Sequence, residues 1–272
     1  MLPEGVVSTI LSFTSPVDGC RSSVVSTSFR SAMESDAVWE RFLPSDYHEI
    51  LSRLLTPFTF SSKKELFLRL CNPLLIDSGK KSFKLEKSSG KKSYILSARE
   101  LFIAWSDVPT YWCWIPTTES RFSEVAVLRM TSWLEIRGKI RTQMLSPNTK
   151  YGAYLIMKIS DRAYGLDSMP SEISVEVGNQ VSSSITHLRS KPDKRRPSSC
   201  LDDTHYVQMP QKRFKDAHGP MPKQRNDAWD EIELGEFFSG GFDEEVKMSL
   251  IEVKGCQLKG GLVIEGIEVR PK

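Results

Sequence analysis

The sequence contains no long run of apolar residues. Nowhere in its 272 residues are there the roughly 18 consecutive apolar positions that a membrane-spanning helix needs. The first residues, Met-Leu-Pro-Glu, have neither the basic segment nor the apolar segment of a secretory signal. We therefore expect a protein of the cytoplasm or the nucleus that has no membrane partner.

Reactive and metal-binding residues are few and scattered. There are five cysteines and four histidines, with no CxxC pair and no cysteine near a histidine at metal-ligand spacing. No GxGxxG or GxxxxGK motif is present, and the four histidines lie far apart, so a Ser/His/Asp arrangement has no local signature. These absences disfavour a sandwich-type hydrolase and predict a non-catalytic protein without metal or cofactor. We interpret the cysteines as reduced, mostly buried thiols.

The numbers of acidic and basic residues are nearly equal over the whole chain, with a net charge of +3, but one segment is strongly basic. Positions 189–225 hold ten Lys and Arg against four Asp, with several prolines. We interpret this stretch as a long mobile loop inserted between strands. Its run Lys194-Arg195-Arg196-Pro197 is typical of a solvated loop, and a nuclear signal or a nucleic-acid contact is the alternative. The rest of the chain is slightly acidic, so we expect no nucleic-acid partner.

The first fifty residues have helical spacing. Val6, Ile10 and Phe13 fall on one face of a short amphipathic helix. Ser15 followed by Pro16 is typical of a helix N-cap with proline at the first helical position. Fifty residues in short helices cannot bury a stable core alone. The pattern therefore predicts a small helical module whose apolar face meets a partner.

The remainder of the chain changes from helical to strand-like patterns. Residues 47–92 read as a connector with helical segments and a hairpin over 83–97. From residue 93 onward, apolar and charged residues alternate in short runs, as in a sheet with one face on a core. We predict an α+β protein in two parts, an N-terminal all-α module and an antiparallel, jelly-roll-like β-sandwich. The predicted strands lie at 100–105, 123–128, 133–140, 151–158, 172–177, 229–235, 246–253 and 262–269.

The helical module resembles the F-box, the adaptor-binding module of cullin-type ubiquitin ligases. The resemblance rests on Leu2-Pro3-Glu4, on Ile10-Leu11, on Val25 four residues before Phe29, and on Trp39. It implies an Skp-type adaptor and a cullin scaffold as partners. The alternative is a helical subdomain that folds back on the sheet. The residues that the resemblance assigns to adaptor binding are Leu2, Pro3, Ile10, Leu11, Val25 and Phe29.

The sandwich resembles the phloem protein 2 lectins, which include the tobacco lectin Nictaba. The likeness covers roughly residues 93–272, where several motifs occur in the family's order. It implies a jelly-roll fold and binding of N-acetylglucosamine oligomers or N-glycan cores. The matching motifs lie at 98–101, 105–114, 120–126, 133–138, 229–237 and 259–272.

A sugar site needs an exposed indole, on which the apolar face of a pyranose stacks, beside carboxylates that accept its hydroxyls. Trp105 and Trp112 correspond to the two tryptophans that stack on sugar in the family, and Glu245 and Glu252 align loosely with its sugar-binding acids. The alternative for both tryptophans is buried packing of a loop against the sandwich. The alternating context of Trp114, Trp133 and Trp229 favours the core for these three.

These patterns together predict a substrate-recognition subunit of an Skp–cullin–F-box ubiquitin ligase. Its domains would be an F-box-like module at 1–46, a connector at 47–92 and a lectin-like sandwich at 93–272 that presents a target protein or glycoprotein. The alternative is a stand-alone carbohydrate-binding lectin whose N-terminal helices are only structural.

Overall fold

The structure, a computed structural model, describes residues 4–188 and 219–272. Positions 1–3 and 189–218 lie outside the described residues, and with them lies most of the predicted basic insertion at 189–225. Leu2 and Pro3, two of the predicted adaptor contacts, also lie outside.

The N-terminal part is helical, and each helix has nine residues or fewer. The Ser15 hydroxyl accepts the Asp18 N–H at 3.1 Å with Pro16 at the first helical position, as the sequence predicts. Ser26 and Ser62 cap two further helices in the same way. Within the described chain, no helix is long and apolar enough to cross a membrane. The helices are α1 (Glu4–Ser12), α2 (Pro16–Ser22), α3 (Thr27–Glu34), α4 (Asp36–Phe42), α5 (Tyr47–Ser52) and α6 (Lys63–Leu70).

Helices this short are stabilised by packing rather than by propensity. Trp39 of α4 is 1% exposed, and its indole N–H donates to the Met33 carbonyl at 2.6 Å. Its ring packs on Phe42 and Phe67, with centroids 5.6 and 5.3 Å away, which joins α4 to α6. The apolar cluster continues from these rings into the sandwich, so helices and sheets share one core.

The larger part is a sandwich of two antiparallel sheets, as predicted. One sheet has the strand order β1-β2-β3-β14-β8-β12-β11. In the same sheet β6 pairs with β14, and β5 pairs with β6. The other sheet has the strand order β10-β9-β13-β7-β4. The strands are β1 (Leu74–Ile76), β2 (Lys81–Leu85), β3 (Lys92–Ser97), β4 (Phe102–Ile103), β5 (Trp112–Ile115), β6 (Val125–Leu128), β7 (Leu134–Arg141), β8 (Thr149–Tyr164), β9 (Ser171–Val177), β10 (Gln180–Thr186), β11 (Lys223–Gln224), β12 (Asp230–Ser239), β13 (Glu245–Glu252) and β14 (Gly260–Pro271).

The short strands β1, β5 and β11 are absent from the prediction, and two longer segments also differ from it. β10 was not predicted, because its serine-rich sequence lacks apolar alternation; it pairs with β9 through a tight turn in which Gly178 has φ +55°. The strand predicted over 100–105 is reduced to Phe102–Ile103, since Trp105 takes a left-handed backbone conformation with φ +57°.

Ion pairs join the helical part to the sandwich. The Arg53 guanidinium, just after α5, donates two hydrogen bonds of 2.9 Å to Asp77 in the turn before β2. Lys81 of β2 lies 2.9 Å from Asp77 and 3.0 Å from Glu100. These hydrogen bonds, the one from Arg53 first, lower the pKa of Asp77 to about 2. The carboxylate is therefore charged at every physiological pH.

A second charged cluster surrounds Glu268 of β14, whose side chain is 1% exposed. Arg225 lies 2.6 Å from it, Arg270 2.9 Å and Lys84 3.5 Å. Burial alone would raise the pKa of Glu268, but these three cations outweigh it and the pKa lies below its usual value. Arg225 falls within the predicted loop 189–225, so the end of that stretch is part of the sandwich rather than a solvated loop.

Candidate functional site

Two tryptophans and a tyrosine form an exposed aromatic cluster at one end of the sandwich. Trp105 is 45% exposed and Trp133 is 42% exposed, and their ring centroids lie 6.2 Å apart. Tyr111 packs against Trp105 with a centroid distance of 5.3 Å. We name Trp105, Tyr111 and Trp133 the aromatic platform. The ring planes are tilted, by 59° between Trp105 and Trp133 and by 38° between Trp105 and Tyr111, so the cluster offers neighbouring faces at an angle to each other.

The chain holds Trp105 in a conformation that an aromatic residue rarely adopts. Its φ is +57°, in the left-handed region, which is uncommon for residues other than glycine. Backbone hydrogen bonds hold the turn before and after Trp105. The Ala104 N–H donates to the Glu135 carbonyl at 3.0 Å, and the Val108 N–H donates to the Trp105 carbonyl at 3.0 Å. Backbone strain of this kind persists where surrounding contacts enforce it, often at binding sites.

Trp112 lies in the core, which differs from its predicted place beside Trp105. It is 2% exposed, and its indole N–H donates to the Ala104 carbonyl at 3.1 Å. It pairs with Leu128 as β5 runs beside β6, and this pairing turns its ring inward. The buried ring leaves no free face for a sugar, so the structure matches the alternative of loop packing at this position.

Trp133 was predicted as core but lies on the surface. Leu134 and Ile136 of β7 are fully buried, and because strand side chains alternate, Trp133 and Glu135 lie on the other face. Trp229 is 1% exposed, which confirms its predicted place in the core. Trp114 is half-buried, with the Arg99 guanidinium 3.6 Å from its ring centroid.

Polar groups lie directly beside the aromatic platform. The Trp133 indole N–H donates to Glu135 at 2.9 Å, and Arg137 holds the other oxygen of that carboxylate at 2.7 Å. Next to them is a shallow depression of about 460 Å³, lined by Glu100, Phe102, Glu135, Arg137 and Lys139. An apolar surface with carboxylate and guanidinium groups at its border suits a ligand that has both a C–H face and hydroxyls.

The two predicted sugar-binding acids do not come together. Glu245 and Glu252 are the first and last residues of β13, about 24 Å apart at the usual rise per residue. Glu245 is half-exposed and lies 3.3 Å from Lys139. Glu252 is 3% exposed and forms an ion pair with buried Lys259. The structure thus brings neither acid to a site shared with the other.

A second candidate site is an apolar surface on the N-terminal helices. Two of the predicted adaptor contacts do not belong to this surface. Leu11 is 1% exposed and lies in the core, and Phe29 is half-buried and packs against the core. Of the predicted adaptor contacts within the described residues, Ile10 and Val25 are therefore the two at the surface. We name the exposed set the N-terminal apolar patch: Val6 (45% exposed), Ile10 (47%), Phe13 (77%), Val24 (79%) and Val25 (70%).

The cysteines are less buried than predicted. In the described ranges, Cys20 and Cys256 are exposed, Cys71 and Cys113 are half-buried, and all four are free thiols. Cys200 lies outside the described residues. Burial raises the pKa of Cys71 to about 11, so its thiol is protonated. No group of three His, Cys, Asp or Glu residues placed to hold a metal occurs in the described part of the chain.

Comparison with known proteins places the sandwich in a family. The chain belongs to the phloem protein 2 family, because the family model "Phloem protein 2" matches residues 91–271. Over its full length it is similar to plant proteins that carry both parts of the chain. The Arabidopsis thaliana F-box protein PP2-B15 is 54% identical over 100% of this chain and 96% of its own length. F-box protein VBF of Arabidopsis thaliana is 50% identical over 100% of this chain and 99% of its own length.

These relatives confirm the sequence-based recognition of a plant F-box protein with a phloem protein 2 domain. F-box protein PP2-B13 is a third, 51% identical over 100% of this chain and 98% of its own length. A crystal structure of alpha-L-fucosidase from Vibrio sp. strain EJY3 aligns over 91% of this chain and 46% of that chain, with 9% identity. Its TM-score of 0.27 is too low to indicate a shared fold.

Proposed function

We propose that the protein is the substrate-recognition subunit of an Skp–cullin–F-box ubiquitin ligase. The observation that carries this proposal is the N-terminal apolar patch, which exposes five large apolar side chains on a small helical module. Several large apolar side chains exposed on one small module are typical of an interaction site. The F-box names of the full-length relatives add support from a second direction.

In this role the protein breaks no bond and supplies proximity between a target and the ligase. The module at 1–46 would bind an Skp-type adaptor on a cullin scaffold, and the sandwich at 93–272 would hold the target. The helices share one apolar core with the sheets. A target held on the sandwich would therefore keep a defined position relative to the adaptor. We propose the cytoplasm or the nucleus as the place of action.

Binding to a purified Skp-type adaptor tests this role. The Ile10→Asp and Val25→Asp variants place a charge within the N-terminal apolar patch, and we expect each to weaken adaptor binding by at least about tenfold. Phe242→Asp is the matched control, because Phe242 is 86% exposed on a sandwich loop. Wild type that does not bind the adaptor, or patch variants that bind as Phe242→Asp does, would refute the proposal.

A second function, carbohydrate binding by the sandwich, is favoured by the aromatic platform. Trp105 and Trp133 expose indole surface beside the Glu135 carboxylate, which is the chemistry that pyranose rings require. We propose glycans that contain N-acetylglucosamine as the ligand class. This function is compatible with the ligase role, and it would also stand alone as that of a lectin.

Calorimetric titration with the trimer of N-acetylglucosamine separates the two functions. We expect Trp105→Ala and Trp133→Ala to abolish measurable binding, while Phe238→Ala, which removes another half-exposed aromatic ring, leaves it unchanged. Retained binding in both tryptophan variants would move the glycan site elsewhere. Adaptor binding without glycan binding would leave the ligase role with a protein target.

A further inference from the structure

Lys259 is a buried cation that neither proposed function has used. Its side chain is 2% exposed, and a lysine is almost never buried to this extent unless its charge is paired. Its ammonium group has three donors, and three acceptors surround it. These are the Ser132 carbonyl at 2.7 Å, the Gln257 carbonyl at 3.3 Å and the Glu252 carboxylate. The protein thus supplies a partner for each donor, although burial still lowers the pKa of Lys259 below its usual value.

One of these acceptors is the peptide that directly precedes Trp133. The backbone of Lys259 also exchanges two hydrogen bonds with Thr131, of 2.9 and 2.7 Å. The Thr131 hydroxyl in turn donates to the Trp133 carbonyl at 3.0 Å and accepts the Trp133 N–H at 3.1 Å. Lys259 thus holds this segment in two ways. Its backbone binds Thr131, which in turn binds Trp133, and its ammonium group binds the Ser132 carbonyl.

Glu252 is on the opposite side of the same ammonium group. One of its oxygens accepts the Gly255 N–H at 3.0 Å, and the other faces Lys259. Because it is only 3% exposed, Glu252 is not accessible to a ligand at the surface. Since Glu252 pairs with Leu134 across the β13 and β7 strands, it ties the lysine to the start of β7.

We propose that the Glu252–Lys259 ion pair is a positioning device that fixes the Trp133 indole in the aromatic platform. This inference rests on the proposed glycan site and gives Glu252 a different role from that of a direct sugar ligand. A surface residue as large as Trp133 has several rotamers and a mobile backbone unless its peptide is held. A preorganised platform binds its ligand without the entropic cost of ordering the ring.

Two measurements on the full chain test the device. Incorporated 5-fluorotryptophan gives one ¹⁹F resonance for each of the six tryptophans, and Trp133→Phe assigns the relevant one. We expect Lys259→Met to shift or broaden the Trp133 resonance while those of Trp39 and Trp229 keep their positions. We expect its affinity for the N-acetylglucosamine trimer to fall about tenfold, because the ring is still present but must be ordered when the ligand binds.

Lys92→Met is the matched control, because Lys92 is also a buried lysine, 6% exposed and paired with Asp46 at 2.9 Å. It should cost stability without changing the Trp133 resonance or the affinity. If Lys259→Met does not fold, Glu252→Gln gives the same test, since it removes the charge and keeps the shape of the side chain.

The possible results separate the two proposals. An unchanged Trp133 resonance in Lys259→Met and Glu252→Gln overturns the positioning role, whether or not the affinity for the trimer falls. Wild type that does not bind the trimer refutes the glycan function, and the ¹⁹F spectrum then still decides whether the pair fixes Trp133.

Discussion

The two nitrogens of the Arg53 guanidinium face the two oxygens of the Asp77 carboxylate, each pair 2.9 Å apart. Arg53 follows the helix α5 and Asp77 precedes the strand β2, so this fork joins the helical part to the sheet. Both side chains are 24% exposed, which limits screening by solvent. Paired, partly buried charges in this geometry are stronger than ordinary surface ion pairs.

We expect Asp77→Asn to remove part of the acid sensitivity of the protein. The pKa of Asp77 is lowered to about 2 in the folded chain, so its stabilising effect is complete above the ordinary value near 4 and is lost as the pH falls toward 2. At pH 7 the variant should lose about 1–2 kcal/mol in the free energy of unfolding. At pH 2, where half of the folded molecules have lost the charge, the difference from wild type should fall to less than half of its value at pH 7. Urea titrations at both pH values measure the difference, and an equal loss at pH 2 would contradict it.

The two neighbouring tryptophans of the lectin motif should separate in their effects. Trp112→Ala leaves a large cavity in the core, and we expect it to cost about 3–5 kcal/mol in the free energy of unfolding. Trp105→Ala removes a half-exposed ring and should cost less than about 1 kcal/mol. Denaturant titration of both variants measures this, and equal losses would place both rings in the same environment.

Glu268→Gln should destabilise the sandwich because it removes the buried carboxylate that Lys84, Arg225 and Arg270 share and leaves Glu231 as the carboxylate common to both arginines. Arg225 is 12% exposed and Arg270 is 29% exposed, so solvent replaces the lost partner poorly. We expect a loss of about 2–3 kcal/mol in the free energy of unfolding. Glu172→Gln is the control, since Glu172 is 56% exposed and pairs with Lys254, which is 74% exposed. This second variant should change stability by less than about 0.5 kcal/mol.

Gly266 of β14 should not tolerate a side chain. A Cβ at this position would lie 2.0 Å from the Leu96 carbonyl oxygen, because the strands β14 and β3 approach closely beside a bulge. We expect Gly266→Ala to destabilise the fold by more than about 3 kcal/mol. Gly240→Ala is the control, as nothing lies within 4 Å of a Cβ there. Thermal unfolding of the two variants measures the effect, and similar midpoints would contradict it.

Elements that follow from local chemistry were predicted from the sequence, and the site was predicted only in part. The Ser15-Pro16 cap and the alternation in β7 appear in the structure because side-chain spacing and caps act over a few residues. Alternation also says that adjacent residues face opposite sides, but the sheet pairing decides which side is inside. Alternation therefore does not decide that Trp133 faces outward, and the resemblance that predicts an exposed Trp112 carries no information on its pairing with β6.

Other features of the site had no local signal. The left-handed conformation of Trp105 depends on the bond from Ala104 to Glu135, which no nearby residue indicates. Glu252 looked like a free acid because its partner Lys259 comes from another strand region. The sequence does contain a signal for Trp133. Leu134 and Ile136 alternate with Glu135 and Arg137, so a strand that buries the two apolar residues turns Trp133 outward.

The central position of β14 has a consequence for the synthesis of the protein. This strand pairs with β3, β6 and β8, yet it follows all the other described strands in the chain. On the ribosome, β3 and β8 therefore emerge long before the strand that lies between them. The nascent sandwich stays open, with apolar strand surface exposed, until β14 leaves the exit tunnel. The apolar strand surface that β14 covers in the folded protein is therefore open to aggregation until synthesis reaches this strand.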